Sequence, residues 1–252
     1  MDFADPVQRR AFFELHKDLP REGPGNRAST ARALDLAQPL PAAPRILDIA
    51  CGPGAQTLDL AALLPEAHIV AVDAHPGYLA ELRRRAASVG AADRIETRVA
   101  DMARLPFEDG AFDLLWCEGA AYIVGLPYAL EHWARLVTAS GRLALTEPVF
   151  LTPDLPDDVV DNWREYPGMA NVAACREIIR GARWRLLGDF TLPESAWWDD
   201  YYGPLAARTE RLSADLESEP GARVVLDEAR REIDVYRRHS RCFGYQFFVM
   251  AR

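Results

Sequence analysis

From residue 45 onward, short apolar runs alternate with longer stretches in which apolar residues recur every three or four positions. RILDIAC (45–51) is a continuous apolar run, the pattern of a short strand buried on both faces. A glycine-rich turn and a predicted helix, AQTLDLAALL, follow it. HIVAVD (68–73), RIETRV (94–99), FDLLWC (112–117) and RLALTE (142–147) read as further strands. PGYLAELRRRAASVG, ended by Gly90, and LPYALEHWARLVT read as helices between them. This alternation predicts βαβ crossovers and a parallel sheet. The connection DMARLPFEDG contains Pro106 and Gly110, so only a short or irregular helix is expected there.

The flanks follow a different rhythm. Residues 7–18 predict an amphipathic helix anchored by Phe12, Phe13 and Leu15. LPREGPGN breaks it, and a second helix is expected over 28–38 with Ser29 or Thr30 near its start. After Glu147, residues 148–181 hold several prolines and two helices, and RWRLLGDFTL (183–192) fits a sixth strand. Helical segments over roughly 195–217 and 222–240 precede a last apolar strand, GYQFFVM (244–250). There is no internal repeat. At 252 residues and 49% hydrophobic content, the chain suits one α/β domain.

Charge narrows the partners. The net charge of −9 lacks the positive footprint that nucleic acid requires, and it disfavours an anionic membrane surface. No apolar run approaches the roughly 20 residues that span a bilayer, and MDFADPVQRRAFFELHK is too charged for a signal peptide. Cys51, Cys117, Cys175 and Cys242 form no CxxC pair, so inert buried thiols in a reduced, cytoplasmic setting are expected. The histidines are scattered without metal-ligand spacing, so no metal is expected.

Three features carry candidate chemistry. LDIACGPG (47–54) is a buried strand ending in an acid, then a turn in which Gly52 and Gly54 let the backbone approach a ligand, then a helix start with free N–H groups. Asp73 ends the next strand, roughly 20 residues beyond the glycines, where a ribose-binding carboxylate is expected. Ala100, Asp101 and Met102 follow the third strand, and could place an acceptor and an apolar side chain against a base. Each has a plainer reading: a tight turn, a solvated strand-end acid, and an ordinary loop.

The ordered set LDIACGPG, AVDAHPGYL, ADMARLPFEDGAFDLLWCEGAAY and ASGRLALTEP resembles the class I S-adenosylmethionine (SAM)-dependent methyltransferases. It is most similar to the small-molecule branch that includes ubiquinone and menaquinone biosynthesis enzymes. The flanking FFELHKDLPREGPGN, CEGAAYIVG and FTLPESAWWDDYYGPL resemble a bacterial subgroup of predicted methyltransferases with an aromatic-lined pocket. The family commonly has glycine where this chain has Ala50. The resemblance implies a Rossmann-like sheet of seven strands, mostly parallel with the last antiparallel. It implies a single domain over 1–252: an N-terminal helical cap (1–40), a SAM-binding core (44–150), a substrate-side cap (151–182) and C-terminal strands and helices (183–252).

The resemblance also implies roles. Asp48, Ala50, Cys51, Gly52 and Gly54 would hold the methionine part of SAM, and Asp73 the ribose with Ala74 and His75 beside it. Asp101 and Met102 would frame the adenine, and Glu118 would lie near the transferable methyl group. Glu118, Tyr122 and Glu147, at or just past strand ends, are the candidate catalytic residues. Tyr122, Trp163, Tyr166, Trp198, Tyr201 and Tyr202 could wall a small-molecule acceptor pocket. The same aromatic surface could equally cement a helix to the core or bury against a second copy in a homodimer. Two other functions share part of the pattern. A nicotinamide-dependent oxidoreductase would also use a glycine turn and an acid, but G-x-G-x-x-G is absent because Gly54 is followed by Ala55, Gln56 and Thr57. A non-catalytic SAM-binding or small-molecule-binding protein would carry the same residues.

Overall fold

The apolar runs assemble into one twisted sheet in the computed structural model, which describes all 252 residues. The strands are β1 (Arg45–Ile49), β2 (His68–Asp73), β3 (Ile95–Val99), β4 (Phe112–Cys117), β5 (Val137–Phe150), β6 (Ala170–Asn171), β7 (Arg185–Thr191) and β8 (Phe243–Ala251). Their spatial order is β3-β2-β1-β4-β5-β8-β7, and the two-residue β6 pairs with the end of β5. β1 to β5 pair in parallel, while β8 lies antiparallel between β5 and β7. The expected antiparallel last strand is therefore present, and the short β6 makes the sheet one strand larger than the seven anticipated.

Ten helices cover the sheet: α1 (Pro6–His16), α2 (Arg27–Ala37), α3 (Ala55–Leu63), α4 (Pro76–Ser88), α5 (Leu126–His132), α6 (Asp157–Asn162), α7 (Val172–Gly181), α8 (Ser195–Trp197), α9 (Gly203–Leu216) and α10 (Pro220–His239). Successive strand residues face opposite sides. Ile46, Leu114, Trp116, Ala144 and Phe247 join a core with α1, α2, α9 and α10. Their neighbours Leu47, Leu115, Leu143, Leu145 and Phe248 join a second core with α5 and α7. No helix is long and apolar enough to cross a membrane.

Two local expectations shift. The helix predicted over 126–138 stops at His132, continues as a 3-10 turn to Leu136, and yields Val137 and Thr138 to β5. Both residues are β-branched, which favours the extended backbone. The segment 195–217 is interrupted by a π turn over Trp198–Tyr202, which leaves Tyr201 and Tyr202 both buried. The start of α2 lies at Asn26, whose side chain accepts from the Ser29 N–H at 2.8 Å. A polar side-chain oxygen satisfies a free helix donor in this way.

The chain leaves β1 for β2 and β3 on one side and returns to β4 on the other. At such a reversal no helix covers the carboxyl ends of β1 and β4, so a crevice opens there. The turn below it is tightly specified. Ala50, Gly52 and Gly54 have φ of 56°, 54° and 89°, all in the left-handed region. A Cβ on Gly54 would lie 2.2 Å from Leu82 Cδ1 of α4, so the missing side chain lets α3 and α4 approach. Gly54→Ala is expected to lower unfolding free energy by about 3 kcal/mol, from left-handed strain plus overpacking. Ala50→Gly should do the reverse, raising it by up to about 1 kcal/mol as strain is relieved. Urea melts of the two variants check the opposite signs.

Candidate functional site

The crevice holds a cavity of about 410 Å³, within the size range of small-molecule sites. Its wall is built from loops at the carboxyl ends of four strands. These are Ala50–Pro53 after β1, Asp73 and Ala74 after β2, Ala100–Met102 after β3, and Glu118–Ala120 with Tyr122–Val124 after β4. Gln56 and Tyr78, from α3 and α4, complete that side. The remaining wall, Arg21–Pro24, comes from the segment joining α1 to α2.

Asp73 is anchored on both oxygens. It accepts from the Gly52 N–H at 2.9 Å and from the His75 N–H at 2.8 Å. A carboxylate oxygen has more than one acceptor site, so each keeps capacity toward the cavity. Asp48 works one layer behind. It is fully buried, accepts from Thr57 Oγ1 at 2.5 Å and from Gln56 Nε2 at 3.4 Å, and does not line the cavity. Gln56 Nε2 also donates to the Cys51 carbonyl at 3.1 Å, so Asp48 pins the first turn of α3 to the loop. Burial pushes the Asp48 carboxyl up to about 7, only partly offset by the Thr57 hydrogen bond.

Glu118 is fully engaged. One oxygen accepts from Thr30 Oγ1 at 2.9 Å and from Trp116 Nε1 at 2.8 Å. The other is paired with the Arg21 guanidinium, and both side chains are almost completely buried. Gly25 makes room for this pair: a Cβ there would lie 2.3 Å from Arg21 Nη2 and 2.7 Å from Glu118 Oε2. Arg85 ties the same segment to α4 by donating to the Leu19 and Pro20 carbonyls. The α1–α2 connection is thus locked over the crevice.

Of the residues expected at the site, Ala50, Cys51, Gly52, Asp73, Ala74, Asp101, Met102, Glu118 and Tyr122 line one cavity. Gly54 sits outside it against Leu82, and His75 stacks on Phe13 with ring centroids 3.8 Å apart. Glu147 also lies outside, with one oxygen accepting from the Tyr166 hydroxyl and Oε2 without a partner. Burial pushes the Glu147 carboxyl up to about 8. Tyr166 and Trp163 pack behind Tyr122, with ring centroids at 5.5 and 6.3 Å. Tyr201 and Tyr202 are buried further back, and Trp198 packs on Tyr202 and Tyr236. Burial raises the thiols of Cys51 and Cys117, in keeping with inert packing.

Arg21–Pro24, Gln56, Tyr78, Gly119, Ala120, Ile123 and Val124 are the lining residues not anticipated. The available signal was an Arg-Glu pair inside a Pro/Gly breaker, two charges where a plain turn needs none.

Residues 46–141 match the methyltransferase-domain family. Over this segment the chain is similar to methyltransferase domains. The segment holds β1 except Arg45, all of β2, β3 and β4, the first residues of β5, and the loops that line the crevice except the Arg21–Pro24 wall. The chain is 38% identical to a demethylmenaquinone methyltransferase of Clavibacter sepedonicus over 113 residues, 44% of this chain and 43% of that protein. It is 30% identical to a malonyl-[acyl-carrier protein] O-methyltransferase of Legionella pneumophila over 156 residues, 61% of this chain and 53% of that protein. The chain thus spans about half the length of these relatives. Over nearly its full length it superposes on a SAM-dependent methyltransferase from Thiobacillus denitrificans, solved with S-adenosyl-L-homocysteine. The TM-score is 0.83 and the identity 17%, covering 96% of this chain and 98% of that one. At that identity the likeness establishes the fold, and it extends beyond the matched residues to the flanking caps.

Two predictions follow from the electrostatics. Removing one member of a buried ion pair leaves an unpaired charge, at a cost of about 3–5 kcal/mol. Arg21→Met should lose that much stability, and adding Glu118→Met should restore most of it, as measured in a double-mutant cycle. Asp48 and Glu147 bind their protons more tightly folded than unfolded, where their values are 3.8 and 4.5. The folded state then holds more protons, so stability falls as pH rises from about 4 toward 8. Glu147→Gln should flatten the upper part of that decline in melts taken at pH 5, 6.5 and 8.

Proposed function

We propose that the protein transfers a methyl group from SAM to a small-molecule acceptor. The observation that carries this reading is the Asp73 carboxylate, held by the N–H groups of Gly52 and His75 at the wall of a single cavity. That cavity also collects the loop at 50–53 and the Asp101–Met102 pair. The residues present suit this cofactor. Asp73 offers acceptors for a ribose diol. The backbone of Ala50–Pro53 is open to close approach, and Arg21, the one cation in the cavity wall, would meet a methionine carboxylate. Asp101 and Met102 would bracket the adenine. SAM would supply a methyl group on a positively charged sulfur that departs as a neutral thioether.

The chain's task is then alignment and exclusion of water. Arg21–Pro24 close the crevice from above, and Tyr122–Val124 form its acceptor side. Glu118 is better suited to holding Arg21 and the roof than to moving a proton, since both its oxygens are occupied. Tyr122 contacts the cavity directly. Glu147 retains a free oxygen and reaches Tyr122 through Tyr166, so it is the candidate for accepting a proton. The likeness to demethylmenaquinone and malonyl-[acyl-carrier protein] methyltransferases supports an acceptor other than nucleic acid. A reduced, cytoplasmic setting agrees with the unpaired cysteines.

Titration calorimetry tests the reading. SAM and S-adenosylhomocysteine should bind and NAD should not, and Asp73→Asn should weaken both at least tenfold. Heat with NAD and none with the nucleosides would transfer the chain to the oxidoreductase reading. A second test addresses Glu147. If it accepts the proton, turnover rises with pH through about 8, and Glu147→Gln removes that rise.

A further inference from the structure

Behind Tyr122 lies a group of aromatic rings that the cofactor does not need. Trp163, Tyr166 and Tyr245 lie 6.3, 5.5 and 6.5 Å from Tyr122 by ring centroid. Tyr245 is 5.3 Å from Trp197 and 6.4 Å from Trp163, and Tyr201 stacks on Tyr202. Two carboxylates stand at the ends of this box. Glu147 meets it through the Tyr166 hydroxyl, and its Oε2 is buried without a partner although the residue is 1% exposed. Glu232 meets it from α10, accepting from the Tyr202 hydroxyl at 2.9 Å.

Glu232 is out of place for an ordinary acid. The inward stripe of α10 is Ala222, Val225, Leu226, Ala229, Ile233 and Tyr236, and Glu232 falls on that stripe. It is half-buried there, where its carboxylate accepts from Tyr202. No arginine pairs with it or with Glu147, although twenty ion pairs occur elsewhere. Tyr122 and Tyr245 stand in the ring contacts that run from Tyr166, which meets Glu147, to Trp197 and Tyr202, which meets Glu232. Trp163 Nε1 is a further buried donor without a partner.

Aromatic faces attract cations, and a desolvated carboxylate without a counterion attracts them more strongly. Resting on the methyl-transfer reading, we propose that the acceptor is an amine, recognised in the box of Tyr122, Trp163, Tyr166, Tyr201 and Tyr245 between Glu147 and Glu232. The chemistry suits the surroundings. An ammonium gives its proton to the unpartnered oxygen of Glu147, and the freed nitrogen lone pair forms the C–N bond. The C–S bond breaks with its electrons left on sulfur, so the positive charge passes from sulfur to nitrogen. The nitrogen end of that displacement is where the rings and carboxylates stand.

The test compares choline with its uncharged isostere 3,3-dimethyl-1-butanol, each titrated into the protein saturated with S-adenosylhomocysteine. Choline should bind at least tenfold more tightly. Glu232→Gln, which keeps an acceptor for Tyr202, should abolish that preference while leaving S-adenosylhomocysteine affinity unchanged. Equal affinities for the two probes, or binding of neither, with S-adenosylhomocysteine still bound, would overturn the amine assignment alone. Loss of S-adenosylhomocysteine binding by the wild-type protein would instead overturn the methyl-transfer reading. The wild-type comparison stands even if the variant does not fold.

Discussion

The hydrogen bond from the Gly52 N–H to Asp73 joins the two halves of the site. It requires the chain to leave β1 and turn into α3 within five residues, close to the end of β2. Three left-handed positions, Ala50, Gly52 and Gly54, make that turn, and the missing Cβ of Gly54 lets α3 settle against α4. Asp48 fixes the same turn from beneath through Thr57 and Gln56. The crevice at the strand reversal is a consequence of topology. Its shape is a consequence of this turn.

The upper half of the site depends on a different interaction. Arg21 comes from a segment outside the residues that match the methyltransferase-domain family and meets Glu118 just past the end of β4. Desolvating both charges is costly, and the pair persists because Thr30 and Trp116 satisfy the remaining oxygen. One buried ion pair therefore couples the N-terminal segment to the matched residues. The price of that coupling is that both Glu118 oxygens are tied to protein partners.

Much of the fold was legible because its signals are local. The apolar runs at 45–51, 68–73 and 112–117 read as buried strands, and the DMARLPFEDG connection, where Pro106 and Gly110 predicted at most a short or irregular helix, forms none. Asp73 was legible because its spacing from the glycines fixes its place in a βαβ unit. The contribution of Arg21–Pro24 was not, because a segment that crosses a crevice from outside leaves no periodicity. The roles of Asp48 and Gly54 were misjudged in layer: their types signal the turn, but only packing shows that they support the cavity from behind. Glu232 was hidden in the alternating charges of ARREIDVYRRHSR, where one inward-facing acid looks like its solvated neighbours.

The central claim is that one crevice, built from the loop at 50–54, Asp73 and the Arg21–Pro24 roof, grips an adenosyl group. Amide hydrogen exchange with and without S-adenosylhomocysteine measures this directly. The account predicts slower exchange confined to residues 21–25, 50–54, 73–75 and 101–102, the walls that meet in space while lying far apart in sequence. Unchanged exchange in those four segments, or protection at the opposite end of the sheet, would contradict it.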